Sequence, residues 1–271
     1  MNEQSRDFSR RRISAVVPAA GRGSRLGADV PKVFVPILPE VTIWDAVHAR
    51  LAEVADRIVL VLSPDGRSYV EKNRATFPAN CFDKTELALQ PVPLGMGDAI
   101  FGASEFWREY DDVLVVWGDQ FNLSQRTLKA CVRLHSEQHG PTLTLPVVRA
   151  PKPYVEYVFD SAGRLTGLRQ SREGDVCEPG GFSDIGVFLL TGGEVLGEAW
   201  RLYRAGSTLG SVTGEINFLP FLVHLSSTVG WPVVRYETDN PDEAVGINTP
   251  EDLAFARNLL QKNPLPNSKS L

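Results

Sequence analysis

The chain has 271 residues, long enough for one sizeable core and close to the roughly 250–300 residues beyond which chains tend to split into domains. Hydrophobic residues make up 43% and charged residues 23%, the proportions of an ordinary globular protein, and a net charge of -5 argues against general binding to nucleic acid or to membrane surfaces. Cys81, Cys131 and Cys177 are odd in number and widely spaced, with no Cys-x-x-Cys pair, which suggests neither a disulfide framework nor a zinc site and implies a reduced, cytoplasmic setting; no apolar run approaches the roughly 18–20 residues of a membrane span.

Residues 1–12 are polar, lack an apolar signal core and end in Arg10-Arg11-Arg12, so they read as a flexible basic tail leading into the first strand. That strand is the apolar run Ile13 to Val17, which stops at a glycine-rich loop bearing Arg22 and Arg25, with Lys32 soon after. Thr42 caps a helix from Ile43 to about Ala55, whose Trp44, Val47, Leu51 and Val54 recur at helical spacing. Arg57 to Leu62 is a continuous apolar strand closed by Ser63-Pro-Asp-Gly66, followed by a short helix over Arg67 to Thr76 and a short strand over Glu86 to Gln90. Gly97 to Tyr110 reads as a helix whose Phe101, Phe106 and Trp107 belong to the core, Asp112 to Trp117 as the next buried strand, and Ser124 as the start of a helix running to about His139. This alternation predicts an α/β, Rossmann-like, doubly wound and mostly parallel (mixed) sheet covered on both faces.

The texture changes after Pro141. Strands over Thr142 to Val148, Tyr154 to Phe159 and Leu165 to Arg169, separated by turn residues, predict a small hairpin-rich lobe over 141–190 within a single domain of 13–260. Ile185 to Leu190 returns to the core; helices near Glu194 to Ala205 and Asn217 to Leu225, a strand over Pro232 to Tyr236 and a helix over Pro250 to Leu260 complete the domain, and 261–271 reads as a disordered tail. His48, His135, His139 and His224 fall on helices without a cysteine or acid at metal spacing and read as surface or packing residues.

Ligands of open parallel sheets bind beyond the carboxyl ends of the strands, which makes the residues just after each apolar run the ones to inspect. In the first such loop Gly21, Gly23 and Gly27 let the backbone turn and present N–H groups while Arg22, Arg25 and Lys32 add charge, an arrangement that can wrap a triphosphate. It is neither a P-loop, since Ala28-Asp29 follows Gly27, nor the dinucleotide fingerprint, since Leu26 stands where the third glycine belongs. Gln90 carries a carboxamide that suits the edge of a pyrimidine, or serves as a buried strand end satisfied by backbone. Asp119, at the tip of its strand, is a natural ligand for a hard cation, or a cap for the turn before Asn122.

Ala19-Ala20-Gly21-Arg22-Gly23-Ser24-Arg25-Leu26 followed by Pro31-Lys32 resembles the signature of the sugar-nucleotide pyrophosphorylases, sugar-1-phosphate nucleotidyltransferases of the MobA-like NTP transferase superfamily. The resemblance is closest to the uridylyltransferase domain of the bifunctional N-acetylglucosamine-1-phosphate uridylyltransferases. Gln90-x-x-x-Leu94-Gly95-x-Gly97 is similar to the second motif of that group, with Met96 where threonine is frequent, and Pro153-Tyr154 through Glu173 is similar to its sugar-site hairpin. Gly214-Glu215-Ile-Asn217-Phe-Leu-Pro220 is a partial match, Pro220 standing where some relatives carry an acid. Running from Ser14 to about Leu260, the resemblance implies a Mg²⁺-dependent transfer from a nucleoside triphosphate, UTP first, to a sugar 1-phosphate. It implies Arg25 and Lys32 as catalytic residues; Ala19, Ala20, Gly21, Arg22, Gly23, Ser24, Gln90, Gly95 and Met96 at the nucleotide; Gly118, Glu173, Asp184 and Gly186 at the sugar; and Asp119 with Asn248, from Gly246-Ile247-Asn248, as metal ligands.

Asp184 stands where members that use N-acetylglucosamine 1-phosphate carry the asparagine of Asn-Thr-Gly. An ionised aspartate can only accept a hydrogen bond, which counts against an N-acetylated sugar. The acetyltransferase part of the bifunctional relatives, a β-helix of hexapeptide repeats, is not in this sequence, and acetyl transfer is not expected. Two other readings use the same residues. One is a CTP-dependent cytidylyltransferase acting on a polyol or alcohol phosphate, suggested by Val17-Pro18-Ala-Ala-Gly and Thr249-Pro-Glu-Asp-Leu253 and opposed by the motif from Gln90 to Gly97; the other is a nucleotide-binding regulator without turnover.

Overall fold

The structure, a computed structural model, describes residues 10–263 other than 22–25, 28, 209, 211, 213 and 216. In chain order the elements are β1 (Ile13–Pro18), β2 (Pro36–Leu38), β3 (Val41–Thr42), α1 (Ile43–Leu51), β4 (Arg57–Leu62), α2 (Pro64–Lys72), β5 (Thr85–Leu89), α3 (Met96–Gly102), β6 (Asp112–Val116), α4 (Gln125–Ser136), β7 (Leu143–Arg149), β8 (Val155–Phe159), β9 (Leu165–Gln170), β10 (Phe182–Asp184), β11 (Val187–Thr191), α5 (Gly193–Gly206), α6 (Phe218–Ser227), β12 (Val233–Glu237) and α7 (Pro250–Lys262). Among the described residues no helix is long and apolar enough to cross a membrane.

The apolar runs form the centre of one ten-stranded sheet, ordered β5-β4-β1-β6-β11-β7-β10-β8-β9 with β12 on the other edge of β7. β5, β4, β1 and β6 run parallel, as does β12 on β7, whereas β11, β10, β8 and β9 pair antiparallel. Alternation along each central strand supplies two cores: Ala15 and Val17 of β1 face α1, α2, α4 and α7, while Val16 faces α3, α5 and α6. Burial on both faces is why these strands read as unbroken apolar runs. The stretch 141–190, expected as a hairpin-rich lobe, carries β7 to β11, all of them in the main sheet.

Helix starts follow their caps. Thr42 and Asp45 form a reciprocal capping box, as do Thr249 and Asp252, and the Ser124 hydroxyl accepts from Thr127 N–H. Two helices depart from the pattern. α2 begins at Pro64, earlier than the expected Arg67, because Ser63 caps it and proline at the first position forfeits no helical hydrogen bond. α3 stops at Gly102 instead of continuing to Tyr110: the indole N–H of buried Trp107 donates to the Ile100 carbonyl at 2.9 Å, occupying the acceptor that the next turn would use.

α3 is held against the sheet by an aromatic group. Trp200 stacks on Phe101 with centroids 4.4 Å apart and meets Phe221 edge-on, and its ring fills the space beside Gly97, where a Cβ would come within 2.2 Å of it. Gly97→Ala is therefore expected to destabilise the fold by about 1–3 kcal/mol through overpacking, since the stack prevents the ring from retreating. Urea unfolding of the variant beside the parent checks this; an unchanged midpoint would show that the ring yields.

The N-terminal arginines are tied down. Arg10 pairs with Asp56 at 3.3 Å, and Arg11 makes two bonds to the Asp112 carboxylate at 2.5 and 2.8 Å. Asp112 also receives His135 Nε2 at 3.1 Å, and the other nitrogen of that ring meets the Thr144 hydroxyl at 2.9 Å. His135 is thus a packing residue with an acid partner brought from β6 rather than from its own helix. Cys81 and Cys131 are buried free thiols, and burial pushes the Cys131 thiol up to about 12, so both remain protonated in the core.

One topological detail shapes the functional end of the molecule. β10 and β11 form a single line along β7, but their other edge changes partner: Phe182 faces Tyr157 of β8, whereas Val187 to Thr191 pair with β6. Between the two partners the sheet parts, and Trp117 N–H bridges to Gly186 O at 2.9 Å.

Candidate active site

A cavity of about 710 Å³ opens at this parting, beyond the carboxyl ends of β1 and β6. Pro18, Ala19 and Gly21 enter it from the exit of β1, Gly118 and Asp119 from the exit of β6, and Met96 from the start of α3. Lys32 and Asn248 meet them at its head. Gly118 is needed for this closeness, because a Cβ there would lie 3.2 Å from Pro18 O and 3.3 Å from the Ala19 methyl.

Three distant segments converge on one ammonium group. Lys32 Nζ donates to Asp119 Oδ2 at 2.6 Å and to Asn248 Oδ1 at 2.9 Å, bringing together residues 87 and 216 positions away in sequence. Lys32 is placed by the short turn Lys32–Phe34, whose Val33 and Phe34 are buried anchors. The backbone N–H of Ile247 donates to Asp119 O at 3.1 Å, and Gly246 admits the carboxylate, which a Cβ there would crowd at 3.1 Å. Asn248 N–H is fixed by Asp252 Oδ2 at 2.8 Å, and its amide nitrogen reaches Gly246 O at 3.4 Å, leaving Oδ1 turned to the lysine. Two hard oxygen donors thus point at one cationic centre. Among the described residues no group of three or more His, Cys, Asp or Glu side chains is placed to hold a metal, so any ion here would be held by few protein ligands.

Other residues named from sequence lie elsewhere. Arg22, Gly23, Ser24 and Arg25 lie outside the described residues. Ala20 is buried. Gln90 is buried at the end of β5 and donates both amide hydrogens within the chain, to Gly95 O and to Asp98 Oδ2, each at 3.0 Å. What it can offer a ligand is its oxygen. Gly95, with φ of +113°, adopts a conformation that suits glycine and starts α3. Glu173 is not part of the cavity lining; it accepts from Val212 N–H and Asn217 Nδ2 and lies 3.8 Å from Arg172 Nε.

Asp184 does line the cavity, yet its oxygens are engaged: Oδ1 accepts from Gly186 N–H at 2.7 Å and Oδ2 from the Tyr157 hydroxyl at 3.0 Å. Burial pushes its carboxyl above the usual carboxylate range, despite these two donors, and the negative charge of Asp119 adds to the rise. The same burial and the neighbouring Asp184 charge raise the Tyr157 phenol well above its ordinary value. Gly186 is at φ +72°, and a Cβ there would come within 2.5 Å of Gln120 Cγ, so the glycine makes room for a side chain rather than facing the cavity itself. Sequence reasoning missed Gln120, Gln170 and Arg172, which also line the cavity. Gln120 directly follows Asp119, and Gln170 ends a strand, the one positional signal that could have marked them.

A family model described as a MobA-like NTP transferase domain matches residues 15–176. The chain is similar to the bifunctional protein GlmU of Paramagnetospirillum magneticum, 28% identical over 262 residues that cover 92% of this chain and 53% of that protein. It thus spans about half the length of the curated relatives it matches. Among solved structures it resembles the inositol-1-phosphate CTP transferase of T. maritima, with TM-score 0.66 and 21% identity over 92% of this chain and 95% of that one. It also resembles a putative glucose-1-phosphate thymidylyltransferase of Bacillus anthracis, with TM-score 0.67 and 14% identity over 91% and 94%. At these identities the structural likeness establishes a shared α/β fold.

Proposed function

The chain belongs to the MobA-like NTP transferase family, and from that premise we propose that it transfers a nucleotidyl group from a nucleoside triphosphate, UTP first, to a sugar 1-phosphate and releases pyrophosphate. The observation that carries this reading is the convergence of Lys32, Asp119 and Asn248 at the carboxyl ends of parallel strands. A phosphate oxygen of the acceptor attacks the α-phosphorus in line; its new P–O bond forms as the bond from the α-phosphorus to the bridging oxygen breaks, and that oxygen leaves with pyrophosphate. The attacking oxygen is already ionised near neutral pH, so no side chain has to remove a proton. Catalysis then rests on positioning and on neutralising charge.

Lys32 supplies a cation to the reacting phosphates, with Arg25 taking the outer phosphates of the triphosphate. Ala19 and Gly21, with Arg22, Gly23 and Ser24, contribute the loop that follows the phosphate chain. Asp119 and Asn248 fit Mg²⁺, which accepts hard oxygens and needs few protein ligands when phosphates complete its shell. Bound there, the ion would polarise phosphoryl oxygens. Gly95 and Met96 border the nucleotide, and Gly118, Asp184 and Gly186 shape the acceptor end.

One observation keeps CTP beside UTP. With both amide hydrogens of Gln90 engaged, its oxygen is the free group, and uracil N3–H and the cytosine amino group each satisfy an acceptor. The test is pyrophosphate release by the purified protein with Mg²⁺, across four nucleoside triphosphates and a panel of sugar and polyol phosphates. Release that requires UTP and one sugar 1-phosphate is expected. Release only with CTP and an alcohol phosphate would reassign the donor and acceptor, and nucleotide binding without release under any pairing would remove the enzyme reading.

A further inference from the structure

The side chain of Gln90 is bracketed where β5 gives way to the loop that starts α3. Its Nε2 donates to Gly95 O and to Asp98 Oδ2, each at 3.0 Å. One partner is a backbone carbonyl and the other a carboxylate oxygen, and neither can donate. The amide therefore has a single orientation that bonds them; turned over, it would set its own oxygen against two others. Gln90 Oε1 has no partner among the described residues, and it is not one of the six unpaired side-chain atoms there that are sealed from solvent. The oxygen is what remains of this amide to meet a ligand.

Both arms of the bracket are fixed from behind. Gln90 N–H donates to Leu62 O at 2.8 Å, which holds the strand end, and Gly95 O also accepts Ala99 N–H at 3.2 Å, which ties it to the first turn of α3. Asp98 stands in that same turn, between the buried Gly97 and Ala99. The Phe101–Trp200 stack at 4.4 Å holds the helix against the sheet, with the Trp200 ring over Gly97. Met96, flanked by Gly95 and Gly97, lines the cavity, so the bracket lies directly behind the cavity wall, whereas Asp98 is not part of the lining. Of the two bonds to Nε2, the one to Asp98 is charge-assisted and so the stronger.

We propose that Asp98 is a positioning residue for base recognition: it holds the Gln90 amide with Nε2 inward and Oε1 offered to the base, and thereby selects a base that presents an N–H donor; this rests on the nucleotide reading above. Without Asp98 the amide keeps only the carbonyl of Gly95 and can turn to offer either end. The preference for a donor is then lost, although Gln90 itself is unchanged.

The test is equilibrium binding, in Mg²⁺ and without acceptor, of UTP, CTP, their base-methylated forms that lack the N–H donor, and inorganic tripolyphosphate, which has no base. The parent is compared with Asp98→Leu, Asp98→Asn, Gln90→Met and the double variant Asp98→Leu, Gln90→Met. The parent is expected to bind the methylated form of its preferred nucleotide at least about tenfold less tightly. Asp98→Leu and Gln90→Met are each expected to weaken the preferred nucleotide about tenfold, and the double variant to bind no more weakly than Gln90→Met, because Asp98 acts through that amide. Asp98→Asn keeps an acceptor oxygen and is expected to stay within about twofold of the parent. Tripolyphosphate is expected to bind equally throughout, which a general loosening of α3 would not allow. Additive losses in the double variant, an equal loss of tripolyphosphate, parent-like binding by Asp98→Leu, or indifference of the parent to base methylation would overturn the proposal. The expected binding pattern with no pyrophosphate release under any pairing would remove the transfer reaction and leave the role of Asp98 standing; a parent that binds no nucleotide would end both.

Discussion

Replacing Lys32 with alanine is expected to lower turnover by about 10²–10³-fold, the scale on which a single preorganised charge acts on a developing anion. The ammonium is the centre on which Asp119 and Asn248 converge, at 2.6 and 2.9 Å, so its loss removes a cation from the reacting phosphates and also releases the two oxygens from each other. The stability cost is smaller, about 1–3 kcal/mol, because one partly buried carboxylate loses its partner. Steady-state kinetics beside a melting curve separate the two effects. Near-normal turnover in a folded variant would take Lys32 out of the reaction.

The largest effect on folding is expected at Asp112. Burial alone would raise its carboxyl, but the bonds from Arg11 and His135 outweigh burial and hold it below the usual carboxylate range. A carboxylate with a depressed folded value contributes stability above its unfolded value near 3.9, and this contribution is lost as the pH falls through the folded value. Asp112→Ala leaves buried His135 and the Arg11 guanidinium without their acceptor and is expected to cost about 3–5 kcal/mol at pH 7. Urea unfolding from pH 7 to pH 3 checks both magnitude and sign: the gap between parent and variant should narrow below about pH 4. A gap that is constant across this range would show that the carboxylate's ionisation does not matter to the fold.

Much of the sheet was legible because β1, β4 and β6 are buried on both faces and have no polar alternation to confuse the period. Thr42, Ser124 and Thr249 marked helix starts through local chemistry that does not depend on the rest of the chain. The end of α3 was hidden, since the indole that stops it comes from a later residue, and β10 was hidden because three residues of a strand leave too little pattern to read. At the site, Lys32, Asp119 and Asn248 were named through the family resemblance, and the structure brings them together. Gln120 and Gln170 were not, because an amide looks the same in sequence whether packing brings it to a cavity or to the surface.

β12 lies parallel to β7, and the chain leaving it carries Ile247 and Asn248 back to Asp119. The group that completes the cavity therefore lies in sequence beyond all twelve strands. A chain cut at residue 240 would keep all twelve strands but lose Asn248 and also α7, whose Ala256 and Leu260 are buried in the core. One short segment thus serves the packing of the fold and the oxygens around Lys32 together, and neither can be lost alone by shortening the chain there.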